Sequence, residues 1–327
     1  MEETAHKVPD KIDLAVGGQA LIEGVMMRSP SFIAIAVRKH DGSIKVKKNP
    51  FKSITVKHKL LGLPLVRGIV NLFEMVIVGM NAVNFSAEEY AEDFDKEDEA
   101  KTAEAPKQET KVTQTTEKDK KKTWFEIAVF AFSILLSFAL AIFLFKFIPL
   151  YFTELLRKLF PFIEKYYIVF NLIDGLLRIS IFMLYVFTLS LFKTFARLFE
   201  YHGAEHMAVH TYEKHLPLEV EHAKKQSRLH PRCGTSFLLV IFIISIVIYT
   251  FVPRNPIFWM NLGQRLLVLP FIAAVGYEIL KWSAKHMQSI VVRILVAPGL
   301  WSQRLTTKKP DDKQLEVALE ALKATLQ

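Results

Sequence analysis

The charge-free run IAVFAFSILLSFALAIFLF occupies residues 127–145 and decides the class of the fold. At a rise of ~1.5 Å per residue, a helix over this run reaches across most of a hydrocarbon core about 30 Å thick. Trp124 and Tyr151 flank it, where interfacial aromatic residues belong. A soluble helix of this length would carry a polar face, and only Ser133 and Ser137 supply one. The run therefore predicts a transmembrane helix.

Three further stretches extend this prediction to a mainly α fold, a polytopic membrane helical bundle with about four transmembrane helices. The second span contains Asp174 and, four positions later, Arg178. The fourth contains Glu278 and, three positions later, Lys281. Such charges can pair on one helix face, where they either fix helix packing or mark a path for protons or substrate. The predicted spans are residues 125–146, 167–192, 234–253 and 266–283.

Basic residues set the predicted topology. They are concentrated before the first span, between the second and third spans, and after the fourth, and positive charge marks the cytoplasmic side of a membrane. We therefore expect a multi-pass protein of the cell (plasma) membrane with both termini in the cytoplasm. The excess of 42 Lys and Arg over 33 Asp and Glu is then explained by contact with the lipid bilayer and its anionic lipids. No motif indicates a nucleic-acid partner, and a single cysteine excludes an intrachain disulfide framework.

The aqueous parts of the chain divide by composition. Asp41-Gly42 between two β-type runs predicts a β-hairpin in a small cytoplasmic N-terminal unit. The glycine-rich stretch Gly17–Arg28 lacks the pattern of a phosphate loop and predicts a tight backbone turn. The predicted order is the β-containing unit (1–58), an amphipathic or re-entrant helix (59–87), a charged disordered linker (88–122), the membrane bundle (123–288), and cytoplasmic C-terminal helices that end in an amphipathic one (289–327).

The cytoplasmic loop 197–235 between the second and third spans contains the pattern His202-x-x-Glu205-His206, an inverted zincin motif. At ~100° per residue, the two imidazoles lie about 40° apart and one turn from each other, so both can reach one ion. Glu205 lies beside His202 on the same face, where it can activate a water molecule as a catalytic general base. His210 could extend the row, and Glu213 shares its face and is expected to orient a ligand.

A second group of candidate ligands precedes the third span. His230 and Cys233 lie three positions apart in a turn that contains proline and glycine, and Cys233 is the single cysteine of the chain. If the second and third spans are neighbours, His202 and His206 meet His230 or Cys233. Three or four nitrogen and sulfur ligands suit zinc or another divalent transition metal. Four protein ligands would indicate a structural ion, and three with water a catalytic one.

Simpler interpretations remain open for each residue. A five-residue H-x-x-E-H match arises by chance, and a lone cysteine is most often a small apolar residue. His210, His215 and His222 can be solvated surface residues. A Cys–His hydrolase that uses Cys233 with His206 or His230 is also conceivable, although no acid that would orient the histidine is evident.

At these motifs the chain resembles the YqhQ-like family of bacterial membrane proteins, a domain-of-unknown-function family numbered 1385. The resemblance implies a multispanning membrane protein that is a predicted metal-dependent enzyme, without an established reaction. His210 is not part of the family pattern, which makes it an optional ligand. The resemblance rests on Gly17–Arg28, on YHGAEH at 201–206, on HPRCGT at 230–235, on Pro298-Gly299 with QRLTT at 303–307, and on PDD at 310–312 with QLEVA at 314–318.

Two functions follow from the sequence. In the first, the protein is a metal-dependent hydrolase at the cytoplasmic membrane face that acts on lipid-linked molecules or membrane-proximal peptides. In the second, the protein is a non-catalytic membrane scaffold or transport-related protein, in which a structural metal site clamps the second and third spans. Its working surface would then be the glycine-rich N-terminal segment and the C-terminal helix.

Overall fold

The N-terminal residues form a four-stranded antiparallel sheet in the order β1-β2-β3-β4. This computed structural model describes residues 16–103 and 124–327. The predicted hairpin at Asp41-Gly42 is confirmed, with Oδ1 of Asp41 accepting a 2.8 Å hydrogen bond from the Ser43 amide. The glycine-rich stretch forms a hairpin of its own, closed by a tight turn at Ile22-Glu23. The strands are β1 (Gly17–Leu21), β2 (Gly24–Arg28), β3 (Phe32–Arg38) and β4 (Ile44–Pro50).

Helices and the turns that connect them make up the rest of the described chain, which confirms the predicted fold class. A short 3₁₀ turn, Lys59–Gly62, precedes the first long helix, and a π-helical turn, Phe143–Phe147, joins α3 to α4. The helices are α1 (Ile54–Lys57), α2 (Val66–Ala103), α3 (Trp124–Ile142), α4 (Ile148–Leu159), α5 (Pro161–Lys165), α6 (Tyr167–Ser190), α7 (Lys193–Glu213), α8 (Val220–Ala223), α9 (Gly234–Thr250), α10 (Phe258–Lys285), α11 (Ile290–Thr306) and α12 (Asp312–Leu326).

Four helical segments of the described chain are long and apolar enough to cross a membrane. This set differs from the four predicted spans. It includes Val66–Glu92, and it omits α9, which is an apolar helix of only 17 residues. The helix continues beyond the predicted end of the first span, because Lys146 does not terminate it. Its Nζ atom lies inside the bundle, 3.0 Å from the hydroxyl of Tyr249. The segments are Val66–Glu92, Ala131–Leu159, Tyr167–Ser190 and Phe258–Lys285.

Charged side chains tie the apolar helices together. The predicted pair of Asp174 and Arg178 forms at 2.5 Å within α6, and Arg265 of α10 reaches the same carboxylate oxygen at 2.6 Å. The predicted pair of Glu278 and Lys281 is replaced by another. Both oxygens of Glu278 bind Arg67 of α2, because the N-terminal end of α2 lies against α10 and a guanidinium can grip a carboxylate with two hydrogen bonds.

Helix α2 extends well past the predicted start of the linker. Residues 88–103 continue the helix, because alanine, glutamate and lysine favour helix and because Glu89 is anchored to the sheet by Lys45 at 2.5 Å. Val78, Ala82 and Phe85 pack against the apolar face of the sheet, so part of the apolar surface of α2 is covered by protein. The remaining linker residues, 104–122, lie outside the described residues, as do residues 1–15.

The C-terminal helix α12 closes the sheet from the other face. Asp311 and Gln314 form a capping box, in which each side chain accepts from the other residue's backbone amide. Leu315, Leu319 and Leu322 are buried against α7 and the sheet. One core therefore joins the sheet, α7 and α12, and it positions the segment of α7 that contains the H-x-x-E-H motif.

Candidate metal centre

Three side chains with metal-binding atoms converge where α7 meets the start of α9. Ligand atoms of His202, His206 and Cys233 lie within 4.8 Å of one another. Nε2 of His202 is 3.1 Å from Sγ of Cys233, and the two imidazole centroids are 4.4 Å apart. His206 and Cys233 are buried, and His202 is half-buried. The separation of four positions on α7 stacks the two rings one turn apart, as the helical period dictates.

Backbone carbonyls orient both imidazoles. Nδ1 of His202 lies 2.7 Å from the carbonyl oxygen of Thr306, and Nδ1 of His206 lies 2.6 Å from that of Arg228. A carbonyl oxygen only accepts, so each Nδ1 holds a proton and donates it. The lone pair of a neutral imidazole is then on Nε2, the atom that faces Cys233 in the case of His202. Metal-binding histidines in proteins are oriented by this kind of hydrogen bond.

Nε2 of His206 is buried and has no hydrogen-bond partner among the described residues. Oε2 of Glu205 lies 3.5 Å away. A buried acceptor without a donor is unfavourable by about 1–3 kcal/mol and needs a physical explanation. An ion bound between His202, His206 and Cys233 would satisfy this atom.

Glu205 is held beside these three side chains by the glycine-rich hairpin. Its Oε1 atom accepts a 2.9 Å hydrogen bond from the backbone amide of Gly18 in β1. A Cβ atom at position 18 would lie 2.9 Å from Cγ of Glu205 and 2.4 Å from the carbonyl oxygen of Met26. Only glycine lets β1 approach the carboxylate this closely, which explains what the hairpin does at the site.

His230 is directed away from the three converging residues. Its Nε2 atom is 3.2 Å from Oε1 of Glu213, and its ligand atoms group with those of His210 and Glu213 within 4.8 Å. Glu213 also forms an ion pair with Arg232. The guanidinium therefore already neutralises this carboxylate. Of the four predicted ligands, three come together and the fourth joins a neighbouring cluster with Glu213.

A buried glutamine fixes the turn that presents Cys233. Gln303 of α11 accepts from the amide of His230 at 2.7 Å and donates to its carbonyl oxygen at 2.6 Å. The same side-chain amide donates to Oγ of Ser236, in the first turn of α9. Sequence reasoning missed Gln303, Gly18 and the two carbonyl groups as parts of the site. Gly18, Gln303 and Thr306 lie in stretches that carry the family resemblance, which was the available signal, whereas Arg228 lies outside them.

The electrostatics of the centre favour a thiolate. Burial alone would raise the pKa of the Cys233 thiol, but the positive charge of His202, the hydrogen bond from His202 and the positive charge of His206 place that pKa well below its ordinary value. Burial disfavours protonation of His202, yet Cys233 and Glu205 outweigh it and raise the pKa of His202 to about 9. Cys233 is also the N-cap residue of α9, where the helix dipole favours negative charge.

The pKa values of the adjoining His210 and His230 are lowered, whereas that of His202 is raised. Burial and the neighbouring His230 lower the pKa of His210 to about 4. Burial likewise lowers the pKa of His230, against the opposing effect of Glu205 and Cys233. Nε2 of His210 lies 2.9 Å from the carbonyl oxygen of Leu229, so this neutral imidazole helps to hold the turn.

The centre opens into a cavity of about 590 Å³. Its walls come from the glycine-rich hairpin, from α2, from α7 and from the first turns of α9. The polar part contains Glu205, His202, His206 and Cys233, and the apolar part includes Met75 and Leu238. A ligand in this cavity would reach the converging side chains from a region bounded by apolar helices.

Comparisons with known proteins place the chain among proteins without an assigned activity. A family model described as "Protein of unknown function (DUF1385)" matches residues 63–327. The chain is similar to "Uncharacterized protein YqhQ" of Bacillus subtilis (strain 168), with 35% identity over 326 residues, which is 98% of this chain and 94% of the relative. No solved structure matches.

Proposed function

The chain belongs to the DUF1385 family of proteins of unknown function, and from that premise we propose that it is a membrane-bound, zinc-dependent hydrolase that acts on a membrane-associated substrate. The observation that carries this proposal is the arrangement of His202, His206 and Cys233. Two imidazoles donate from Nδ1 to backbone carbonyls and turn Nε2 inward, beside a thiol whose pKa is lowered.

The donor set fits a transition-metal ion. Two nitrogens and one thiolate are borderline-soft ligands, which suit zinc or another divalent transition metal better than calcium or magnesium. The Nε2 atom of His206 would be one ligand of that ion, since no described protein group forms a hydrogen bond with it. Three protein ligands leave a coordination position open, as catalytic zinc sites do.

The surrounding residues support hydrolysis. A zinc ion held here would supply Lewis-acid chemistry and favour ionisation of a water molecule at neutral pH. Glu205 stands beside the ligands with one oxygen fixed by Gly18 and the other free to accept a proton from the attacking water. Glu213 pairs with Arg232 and His230 and so orients the turn that presents Cys233.

We place this activity at the cytoplasmic face of the cell membrane. The basic residues that flank the apolar helices support this side, and they put both termini in the cytoplasm. The cavity lies at the junction of the sheet, α7 and the start of the apolar helix α9, so a substrate in the bilayer surface would be within reach.

Metal content and cellular function together test the proposal. Purified wild-type protein should contain about one zinc per chain, and His206→Ala and Cys233→Ser should each lose most of it. Glu205→Gln should keep zinc and thermal stability but lose function in a cellular complementation assay. His222→Ala, on the half-exposed α8, is the matched control and should behave as wild type. Full function in Glu205→Gln would overturn the enzymatic role.

A structural ion is the competing account for the same ligands. It is favoured by the position of the three residues between α7 and α9, which an ion would clamp together. The protein would then be a membrane scaffold or transport-related protein. In that case Glu205→Gln would leave cellular function intact, and zinc removal would lower the melting temperature.

A thiol nucleophile is a second catalytic candidate, and a specific contact favours it. His202 Nε2 lies 3.1 Å from Cys233 Sγ, and Cys233 sits at a helix N-terminus with a lowered pKa. This pair could attack an acyl group without metal. Full activity of chelated protein, together with inactivation by iodoacetamide, would select it over the zinc enzyme.

A further inference from the structure

Arg28 projects into the cavity beside the candidate metal centre. It ends β2 and lies among the cavity-lining residues together with Glu205 and Cys233. Its guanidinium is half-buried, so it has lost much of its hydration. Burial lowers the pKa of Arg28, although arginine keeps its charge at any physiological pH.

The partners of this guanidinium are poor ones for a buried cation. Among the described residues, NH1 contacts the thioether sulfur of Met75 at 2.9 Å, and the group lies 4.6 Å from the ring centre of Phe51. Nε is buried and has no acceptor in the described part of the chain. The nearby carboxylate of Glu74 is engaged by Ser53 and by the amide of Ile54, each at 2.6 Å. A positive charge that forms no ion pair with any described carboxylate is costly to bury, which points to a ligand that supplies the negative charge.

Apolar surface continues from Arg28 along α2. A second cavity, of about 400 Å³, shares Gln19 and Met75 with the first and is otherwise lined mainly by apolar residues of α2. On the same helix Phe73 and Ile77 are exposed, at 64% and 60%. A ligand whose charged group met Arg28 would therefore have its apolar part along α2, in a segment apolar enough to contact the bilayer.

We propose that Arg28 binds the phosphate of an anionic lipid, whose acyl chains lie along α2 and whose head group reaches the cavity of His202, His206 and Cys233. A guanidinium matches phosphate with two parallel hydrogen bonds, which uses the unpartnered Nε and a terminal nitrogen together. Assignment of this lipid as the substrate rests on the proposed hydrolase function, whereas its binding does not.

Three soluble probes separate the contribution of the phosphate head group to binding from that of the acyl chains. Dioctanoyl phosphatidic acid carries both, dioctanoylglycerol carries only the chains, and inorganic phosphate carries only the anion. Binding is measured on the full chain in nonionic detergent by isothermal titration calorimetry. Arg28→Gln is compared with wild type and with Lys47→Gln, which removes an exposed cation of the same sheet outside the cavity.

The proposal expects wild type to bind phosphatidic acid more tightly than either partial probe. Arg28→Gln should weaken that affinity by about tenfold to a hundredfold, the usual effect of losing a charge-assisted hydrogen-bond pair. Lys47→Gln should leave it unchanged. Because Arg28 forms no ion pair with a carboxylate of the described residues, the melting temperature of Arg28→Gln should equal or exceed that of wild type. Arg28→Lys keeps the charge but not the paired geometry, so its affinity for phosphatidic acid should lie between those of wild type and Arg28→Gln.

Three results would overturn the proposal. One is equal affinity of wild type and Arg28→Gln for phosphatidic acid. Another is inorganic phosphate that binds as tightly as the lipid, which would assign the subsite to a soluble phosphate. The third is a melting temperature that falls in Arg28→Gln and is restored in Arg28→Lys with no change in lipid affinity, which would make the residue structural.

Repeating the titrations with and without a zinc chelator separates this inference from the proposed function. Arg28-dependent lipid binding that survives the chelator would show that the lipid site does not need zinc. Freshly purified protein that contains no zinc but binds lipid through Arg28 would refute the hydrolase and leave the lipid site standing. Protein that contains zinc but binds lipid independently of Arg28 would refute only the lipid site.

Discussion

The backbone amide of Gly18 donates a 2.9 Å hydrogen bond to Oε1 of Glu205, across 187 positions of sequence. This contact links the glycine-rich hairpin to the helix that contains the candidate ligands. It gives one oxygen of the carboxylate a fixed position and leaves the other beside His206. The hairpin is therefore a wall of the site, and its glycine is needed for close approach.

Substitution of Gly18 should disturb the site more than the fold. In Gly18→Ala the new Cβ would meet the Met26 carbonyl oxygen at 2.4 Å and Cγ of Glu205 at 2.9 Å, so β1 or the carboxylate must move. We expect a loss of about 1–3 kcal/mol in the free energy of unfolding and loss of cellular function, with zinc retained. Thermal melts and metal analysis provide the test. Gly17→Ala is the control, since a Cβ there meets nothing within 4 Å.

The carboxylate of Asp174 should be the most sensitive polar group of the bundle. Oδ2 accepts from Arg178 at 2.5 Å and from Arg265 at 2.6 Å, and all three side chains are almost fully buried. Asp174→Asn leaves two buried cations without their anion and should destabilise the protein by about 3–5 kcal/mol. Glu164→Gln, which breaks the more exposed pair with Arg157, should change stability by less than about 1 kcal/mol. Similar melting temperatures for the two variants in detergent would contradict this assignment.

The neutral His210 should make stability depend on pH. Its pKa of about 4 in the folded state lies below the ordinary 6.5, so the unfolded chain binds more protons between these values. Stability should therefore fall as the pH decreases from 6.5 towards 4, by roughly 2–3 kcal/mol from this group, and level off below. His210→Gln, which retains an amide donor for Leu229, should lose less stability over that range. Both proteins are measured in the presence of a chelator, so that loss of metal at low pH does not contribute. Parallel curves of stability against pH for wild type and His210→Gln would refute the prediction.

Both ends of α2 should lie on the same side of the membrane. Its first turns contact α10 through Arg67 and Glu278, but further along, Ser86 and Glu89 bind the sheet. We expect cysteines placed at Lys47 and at Glu92 to react with an impermeant maleimide from the same side of the membrane. Labelling of intact spheroplasts and of inverted vesicles provides the comparison, with the buried Cys233 of wild type as the background. Reaction from opposite sides would show that α2 crosses the bilayer.

The helical period was sufficient to predict part of the site. Positions four apart on one helix must stack, so the convergence of His202 and His206 followed from spacing alone. The choice between His230 and Cys233 did not follow, because both lie in one short turn. Its orientation depends on Gln303 and Glu213, which no local pattern connects to it.

Contacts between residues far apart in the sequence could not be predicted elsewhere in the bundle. The pair of Asp174 and Arg178 was predictable from its spacing within α6, whereas the addition of Arg265 depends on how α10 packs. Lys146 was read as the end of a span, since an unpaired charge is unfavourable in lipid. Its neighbour Tyr249 lies 103 positions away, and only the folded bundle brings the two together.

X-ray absorption at the zinc edge tests the central claim most directly, since it reports which atoms surround the ion in purified protein. The account predicts one sulfur at about 2.3 Å and two imidazole nitrogens at about 2.0–2.1 Å, with an unchanged shell in His222→Ala. Any zinc that Cys233→Ser still binds should lack the sulfur. Absence of zinc from freshly purified protein, or a zinc shell without sulfur, would contradict it.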